Sequence, residues 1–454
     1  MRFGKGSVRM TEGPILWSFL AYSVPIILGS LIQTLFNMAD SVVLGQMAGT
    51  NAVASVGACT ATCSLIVNLF CGLSGGVNVV LARYAGMNDR KLTKDTVNTA
   101  LLSSAGLGVL ALAVSVPLAQ WFLTLTKCPE SCYAGAKVYL TIYLLSMPAM
   151  LVYNFGATVI RVSGDSQRPL WYLIAAGALN VVLNVLLCLI LEEKVAAVAI
   201  ATFAAQVLGA VLVVLRLSRI EDAFRLDLYH LSYHFRTFVK ILRYGLPCAL
   251  NGCMFSISNM QIQTAVNTFG PAAVAGLSAS QSIEGFIGAF TQSFSTACLT
   301  FLGQNLGIGD RKRVDRVIGC SAAVSLTVCF LISMAVYVTR HFFLGLYVPG
   351  DEAAIGYGCI RMDYVVRYNV VYVATCILSA IIQAFGYPGF VFGISIGTVF
   401  LFRVFWMAAV YPRFETFDNL MLCFLVSWLF MLLCQIVVTL VLYIRYRHGH
   451  EKKL

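Results

Sequence analysis

Asp40 lies in NMADSVVLG, inside one of the most apolar stretches of the chain. An intramembrane charge costs about 2.5–3.5 kcal/mol on insertion scales, so such a carboxylate is read as functional first. Gln33, Asn37 and Asp40 follow spacings of four and three and share one helix face. The competing reading has Asp40 reaching back to the outer surface. Further along, Asn180 and Asn184 in LNVVLNVLL lie four apart and face one way. Thr202 and Asn154 add polar groups on neighbouring apolar stretches. These groups could surround Asp40 and bind a cation or a proton. They could equally serve as interhelical hydrogen bonds, a common use of Asn in membranes. In the second half, Glu284 in SASQSIEGF has Gln281, Asn259, Gln263 and Gln292 nearby. A carboxylate in such company can hold an organic cation or pair locally. Arg403 in LFRVFWM is expected to snorkel or to pair with a carboxylate or carbonyl.

The elements that must position these residues are transmembrane helices. Of 454 residues, 59% are hydrophobic and only 11% charged, against about 25% charged in soluble domains. Apolar runs of spanning length recur at 14–45, 52–80, 96–124, 136–160, 169–191, 195–215, 238–266, 272–301, 317–339, 354–385, 388–411 and 419–444. The expected fold is therefore an all-α integral membrane protein of twelve transmembrane helices. With the N-terminus inside, 23 of the 31 basic residues fall on cytoplasmic segments and 5 on outer loops. The bias places both termini in the cytoplasm. It also accounts for the net charge of +11 as loop charge, with no need of nucleic-acid binding.

The chain repeats itself. AGMNDRK at 85–91 returns as LGIGDRK at 306–312, and YSVPIIL around Pro25 returns as YGLPCAL around Pro247. The offset of 221–222 residues divides the chain into two six-helix lobes, 1–215 and 238–454, joined by a basic cytoplasmic linker at 216–237. Six helices per lobe keep the orientation, so pseudo-two-fold symmetry about the membrane normal follows, with substrate expected between the halves. Shifting Asp40, Asn180, Asn184 and Thr202 by the offset lands on Gln261 or Ile262, Leu401 or Phe402, Phe405 or Trp406, and Cys423 or Phe424. The second lobe lacks the polar cluster, so the lobes should differ in function.

Most of the fifteen cysteines lie in apolar runs and read as packing residues. Cys128 and Cys132 in KCPESC could pair, although two cysteines alone make a poor metal site. The chain has no HExxH, GxSxG or P-loop, and its five histidines fall outside or at the edges of the spans. Neither an enzyme nor an ATP-driven pump is indicated, and no cofactor or resident metal is expected.

SVPIILGSLIQTLFNMADSVVLGQMAG, RYAGMNDRK, IRVSGDSQRPL, LNVVLNVLL, GLPCAL, FLGQNLGIGDRKRV, LFRVFWMAAVYP and VSWL together resemble the MATE (multidrug and toxic compound extrusion) transporters over nearly the whole chain. The resemblance implies two six-helix lobes in a V. It implies export of organic, often cationic, drugs in exchange for protons or sodium. In one branch an ion site is built from an Asp, an Asn, a second Asp and a Thr; these positions match Asp40, Asn180, Asn184 and Thr202, with Asn184 replacing the second Asp. Another branch has carboxylates where this chain has Phe255 and Tyr372. The RxxG pattern keeps Arg161 and Gly164, while its second-half counterpart has Gln383 in place of Arg. The substrate candidates are Gln33, Asn37, Asn154, Gln281 and Glu284. A monomer in a bacterial or archaeal plasma membrane is expected, with a small organic substrate and lipid as partners. Sodium favours several oxygen ligands and a second carboxylate, so the lone Asp40 points to proton coupling. The alternatives are a lipid-linked oligosaccharide flippase, which would want a more cationic cavity than the first lobe offers, and a receptor or scaffold without transport.

Overall fold

Long unbroken apolar runs satisfy their own backbone polar groups in lipid by forming helices, whose hydrogen bonds stay within the segment. The computed structural model describes residues 8–48, 50–125, 130–227 and 230–448, and among these no strand occurs. In the first half the helices are α1 (Ile15–Ala48), α2 (Thr50–Gly86), α3 (Arg90–Leu125), α4 (Glu130–Leu145), α5 (Met147–Val162), α6 (Gln167–Ile190) and α7 (Lys194–Ser218). The second half holds α8 (Phe235–Val266), α9 (Pro271–Ile308), α10 (Arg311–Val338), α11 (Arg340–Tyr347), α12 (Glu352–Tyr364), α13 (Asn369–Ala384), α14 (Pro388–Ser395), α15 (Phe402–Phe405) and α16 (Phe417–Arg447).

Eight of the passages are long and apolar enough to cross a membrane unaided. Two more are bent pairs: α4 with α5 at 46°, and α12 with α13 at 50°. The 32-residue α8 and 38-residue α9 complete twelve passages. Their apolar character is diluted by Asn251, Asn259, Gln261, Gln281, Glu284 and Gln292. The break in the fourth passage falls at Ser146, with Pro148 at the start of α5, where proline tolerates a helix beginning but not a helix interior.

The described residues form two compact units. Unit 1 is Met1–Arg9 with Val24–Gly245, and unit 2 is Met10–Ser23 with Leu246–Leu454. Both boundaries fall just before a helix-interior proline, Pro25 in α1 and Pro247 in α8. The segment 216–227 folds back inside unit 1: Leu226 N–H donates to Leu217 O at 2.9 Å, and Lys94 pairs with Asp227 at 3.2 Å. Cys132 is buried, whereas Cys128 lies outside the described residues.

The repeat is visible in backbone detail. Asn88 (φ 56°) and Gly309 (φ 81°) are 221 residues apart and both left-handed; Gly164 (φ 93°) and Gly386 (φ 91°) are 222 apart and likewise. The Asp89 carboxylate accepts from Leu92 N–H at 2.9 Å, as Asp310 accepts from Arg313 N–H at 3.1 Å, so corresponding helices are capped alike. A cross-helix bond recurs too: Cys59 Sγ donates to Ala136 O at 3.4 Å, and Ser280 Oγ donates to Gly358 O at 3.2 Å.

Exposure separates lipid-facing helices from others. α6 exposes Val182, Val185, Leu186, Leu189 and Ile190, and α16 exposes Leu433, Val437, Leu440 and Ile444. In α2 the exposed described positions are Gly57, Thr60, Ser64 and Cys71; in α9, away from its ends, they are Ser278, Gln281, Ser282, Gly285 and Gln292. Hydrocarbon does not solvate such stripes, so these two faces meet water or a polar ligand. Gly57, Thr60, Ser64 and Cys71 map onto Ser278, Gln281, Gly285 and Gln292 by the 221-residue shift.

Candidate functional site

In unit 1, α1 and α6 run side by side in the same direction, as first and fifth passages must when every crossing reverses the chain. A glycine sets their approach. A Cβ on Gly177 would collide with the Phe36 ring, and one on Gly29 would lie 3.7 Å from Leu173. Seating Phe36 against Gly177 places Asp40, one turn on, beside Asn180 and Asn184. Asn184 Nδ2 donates to Asp40 Oδ1 at 2.6 Å. The Asn180 amide satisfies both its ends when Nδ2 donates to Asp40 Oδ1 at 2.6 Å and its oxygen accepts from Thr202 N–H at 3.3 Å. Thr202 Oγ1 donates to Val198 O at 3.0 Å, one turn back in α7. The four residues Asp40, Asn180, Asn184 and Thr202 therefore converge from three helices. The cluster of Leu44, Ala52, Cys188, Val195, Ala197 and Val198 closes over one end of it.

Asn184 is fully buried, and its Oδ1 has no hydrogen-bond partner among the described residues. An orphaned acceptor beside a carboxylate is costly unless something else uses it. It could accept from a protonated Asp40 after the amide turns over, or ligate a small cation. Donors on two amides stabilise the ionised carboxylate, and the turned amide serves the neutral acid. The arrangement can thus hold either protonation state.

Other expected residues lie elsewhere. Gln33 is exposed on α1, and the Asn37 side chain lies outside the described residues. Asn154 Nδ2 donates to Met150 O at 2.8 Å, and its Oδ1 accepts from the Cys71 thiol at 3.6 Å. Gln281 is exposed on the polar face of α9. Glu284 is engaged: Arg361 Nε donates to Oε1 at 2.7 Å and Nη2 to Oε2 at 2.8 Å, a bidentate pair within unit 2.

Arg403 does not snorkel. It is 1% exposed, and its Nη1 donates to Asn259 Oδ1 at 3.0 Å, with Nε 3.4 Å from Ser427 Oγ. Its guanidinium sits 4.4 Å from the Phe424 ring centre, and that of Arg361 sits 4.8 Å from the same ring. Phe424 is one of the two residues, with Cys423, that the repeat sets against Thr202. The weight of Arg361 was missed in the sequence, although an arginine inside an apolar span was itself the available signal.

The MatE family model matches residues 25–186 and again 247–407, two copies beginning 222 residues apart. A probable multidrug resistance protein, YpnP of Bacillus subtilis (strain 168), is 24% identical over 388 residues, covering 83% of this chain and 84% of its own. An FAD transporter of Shewanella oneidensis is 22% identical, covering 74% of each chain. A crystal structure of MATE in complex with MaL6 superposes with TM-score 0.88 at 19% identity, covering 99% of this chain and 100% of that one.

Proposed function

The chain belongs to the MatE family of membrane transporters, and from that premise we propose that it exports organic drugs or toxic metabolites in exchange for protons. The clasp on Asp40 carries the reading. A carboxylate held by Asn184 at 2.6 Å, next to a buried amide oxygen without a partner among the described residues, can lose and regain a proton with only an amide rotation. A lone Asp in this cluster offers sodium a single formal charge, and proton exchange needs no more than that. Sodium remains the competing ion, because Asn184 Oδ1, the Thr202 hydroxyl and Asp40 are all oxygen ligands. Export runs by alternating access of the two halves, in the plasma membrane, with both termini in the cytoplasm.

Purified protein in proteoliposomes tests this, with a pH gradient or a sodium gradient imposed alone. Export of an organic dye is expected under the pH gradient and is expected to vanish in Asp40→Asn. Transport driven only by sodium would replace the proton by sodium. Flipping of a lipid-linked oligosaccharide in the same vesicles, without dye export, would favour the flippase reading instead.

A further inference from the structure

The two halves carry opposite charges within their apolar spans. Unit 1 sets the part-buried Asp40 among amides, whereas unit 2 buries Arg403 against Phe424. Arginine stays protonated at any ordinary pH, so its charge is permanent. Glu284 is already neutralised by a bidentate Arg361. Arg403 meets an amide oxygen, a hydroxyl and a ring, and no carboxylate pairs with it among the described residues. The cluster Glu284–Arg361–Arg403 therefore carries one unbalanced positive charge. A charge this deeply buried is costly without a counter-charge.

Three further observations give this charge a site. Arg403 rides on α15, a four-residue α-helical turn between two π-helical stretches, Ile396–Leu401 and Trp406–Val410. π-Helix is rare and gathers at functional positions. Next, a chain of rings leads away from the guanidinium, from the buried Phe424 and Trp428 to the part-exposed Tyr372 and Phe255, the last one turn from Asn259 on α8. Phe424 meets Trp428 at 6.2 Å, Trp428 meets Tyr372 at 5.1 Å, and Tyr372 meets Phe255 at 6.4 Å between ring centres. Finally, the Asn259 acceptor that occupies Arg403 Nη1 belongs to an exposed residue of α8.

We propose that Arg403 and this chain of rings form a binding site in unit 2 for the carboxylate or phosphate of an aromatic substrate. The anion takes the place of the Asn259 amide on the guanidinium. A neutral acceptor is thereby exchanged for a charge-assisted one, roughly twice as strong. Tyr372 and Phe255, the part-exposed end of the ring chain, meet the substrate's aromatic body, and the bound anion balances the cluster. The inference rests on the transporter reading and narrows its substrate class toward organic anions and zwitterions, where Glu284 alone would have pointed to cations.

Equilibrium binding to the full-length protein in zwitterionic detergent tests it with an isosteric series: 1-naphthoate, 1-naphthamide and 1-naphthylmethylammonium. The wild type should prefer naphthoate. Arg403→Gln should weaken naphthoate by about 10- to 100-fold, the range for one lost charged hydrogen bond, and leave naphthamide within about twofold. Asn259→Ala, at the exposed end of the chain of contacts, should bind naphthoate at least as tightly as the wild type, because the competing acceptor is gone. A merely structural tie between Arg403 and Asn259 would make both variants lose the three ligands alike, and that result would overturn the proposal. So would a wild-type preference for the ammonium compound, or equal protection by chloride or phosphatidylglycerol, which would reduce the site to an ion or lipid contact. Binding is read without any gradient. Naphthoate binding without proton-driven export would therefore leave the site standing and sink the coupling reading, while export of cations without naphthoate binding would do the reverse.

Discussion

At the scale of single residues, the clasp on Asp40 makes Asn184 the decisive position. Asn184→Asp would set a second carboxylate beside Asp40. Close opposite charges in a partly buried site interact by several kcal/mol, so apparent sodium affinity should rise about tenfold or more. Dye export under a sodium gradient alone, scored in variant and wild type, checks this; an unchanged sodium response would remove Asn184 from the coupling site. Glu284 asks a different question. Glu284→Gln strips the bidentate partner from a buried arginine and should lower stability by about 3–5 kcal/mol. Thermal unfolding should show that loss, and Glu284→Gln combined with Arg361→Met should recover much of it. If the single variant melts with the wild type, the pair does not hold unit 2 together. The sequence made Asp40, Asn180, Asn184 and Thr202 legible because each is a polar group in an apolar run. It could not say that Glu284 is paired. That outcome depends on the rotation of α9 against α12, two helices whose paired residues are 77 apart in the chain.

At the scale of elements, helix approach is set by small residues. Gly177→Val would drive a side chain into the Phe36 ring and push α1 off α6, carrying Asp40 away from Asn180 and Asn184. Transport should be nearly abolished while membrane insertion persists. Phe36→Ala in the same background should restore part of it, since the two volumes share one space. Absence of any rescue would mean that this contact does not position Asp40. The spans themselves were readable: apolar runs at 169–191 and 195–215 became α6 and α7 within a few residues. The breaks were less so. Residues 136–160 and 354–385 each read as one continuous apolar run, although Pro148 was a signal for the bend near Ser146; the bend between Tyr364 and Asn369 has no proline to mark it. The π-helical stretches around Arg403 were invisible for the same reason, since nothing in IGTVFL or WMAAV differs in composition from an α-helix.

At the scale of the whole molecule, orientation is the first thing to measure. Lys137→Cys, exposed near the start of the fourth passage, should react with a membrane-impermeant thiol reagent in intact cells. Arg219→Cys, exposed beyond α7, should react only after cells are opened. The reverse pattern would invert the topology. The composition of the two units also has a consequence for how the protein is made. Residues Met10–Ser23 belong with unit 2, where Asn305 Nδ2 donates to Met10 O at 3.1 Å and Arg313 Nη1 to Gly13 O at 3.1 Å. The chain leaves the ribosome from its N-terminus, so this segment emerges early and its partners emerge nearly three hundred residues later. Unit 1 can assemble from its own contacts while synthesis continues, but unit 2 cannot close until Met10–Ser23 is brought to Asn305 and Arg313. Met10–Ser23 is then among the last pieces to find its place, and a nascent chain halted before α9 would leave that segment open to protease.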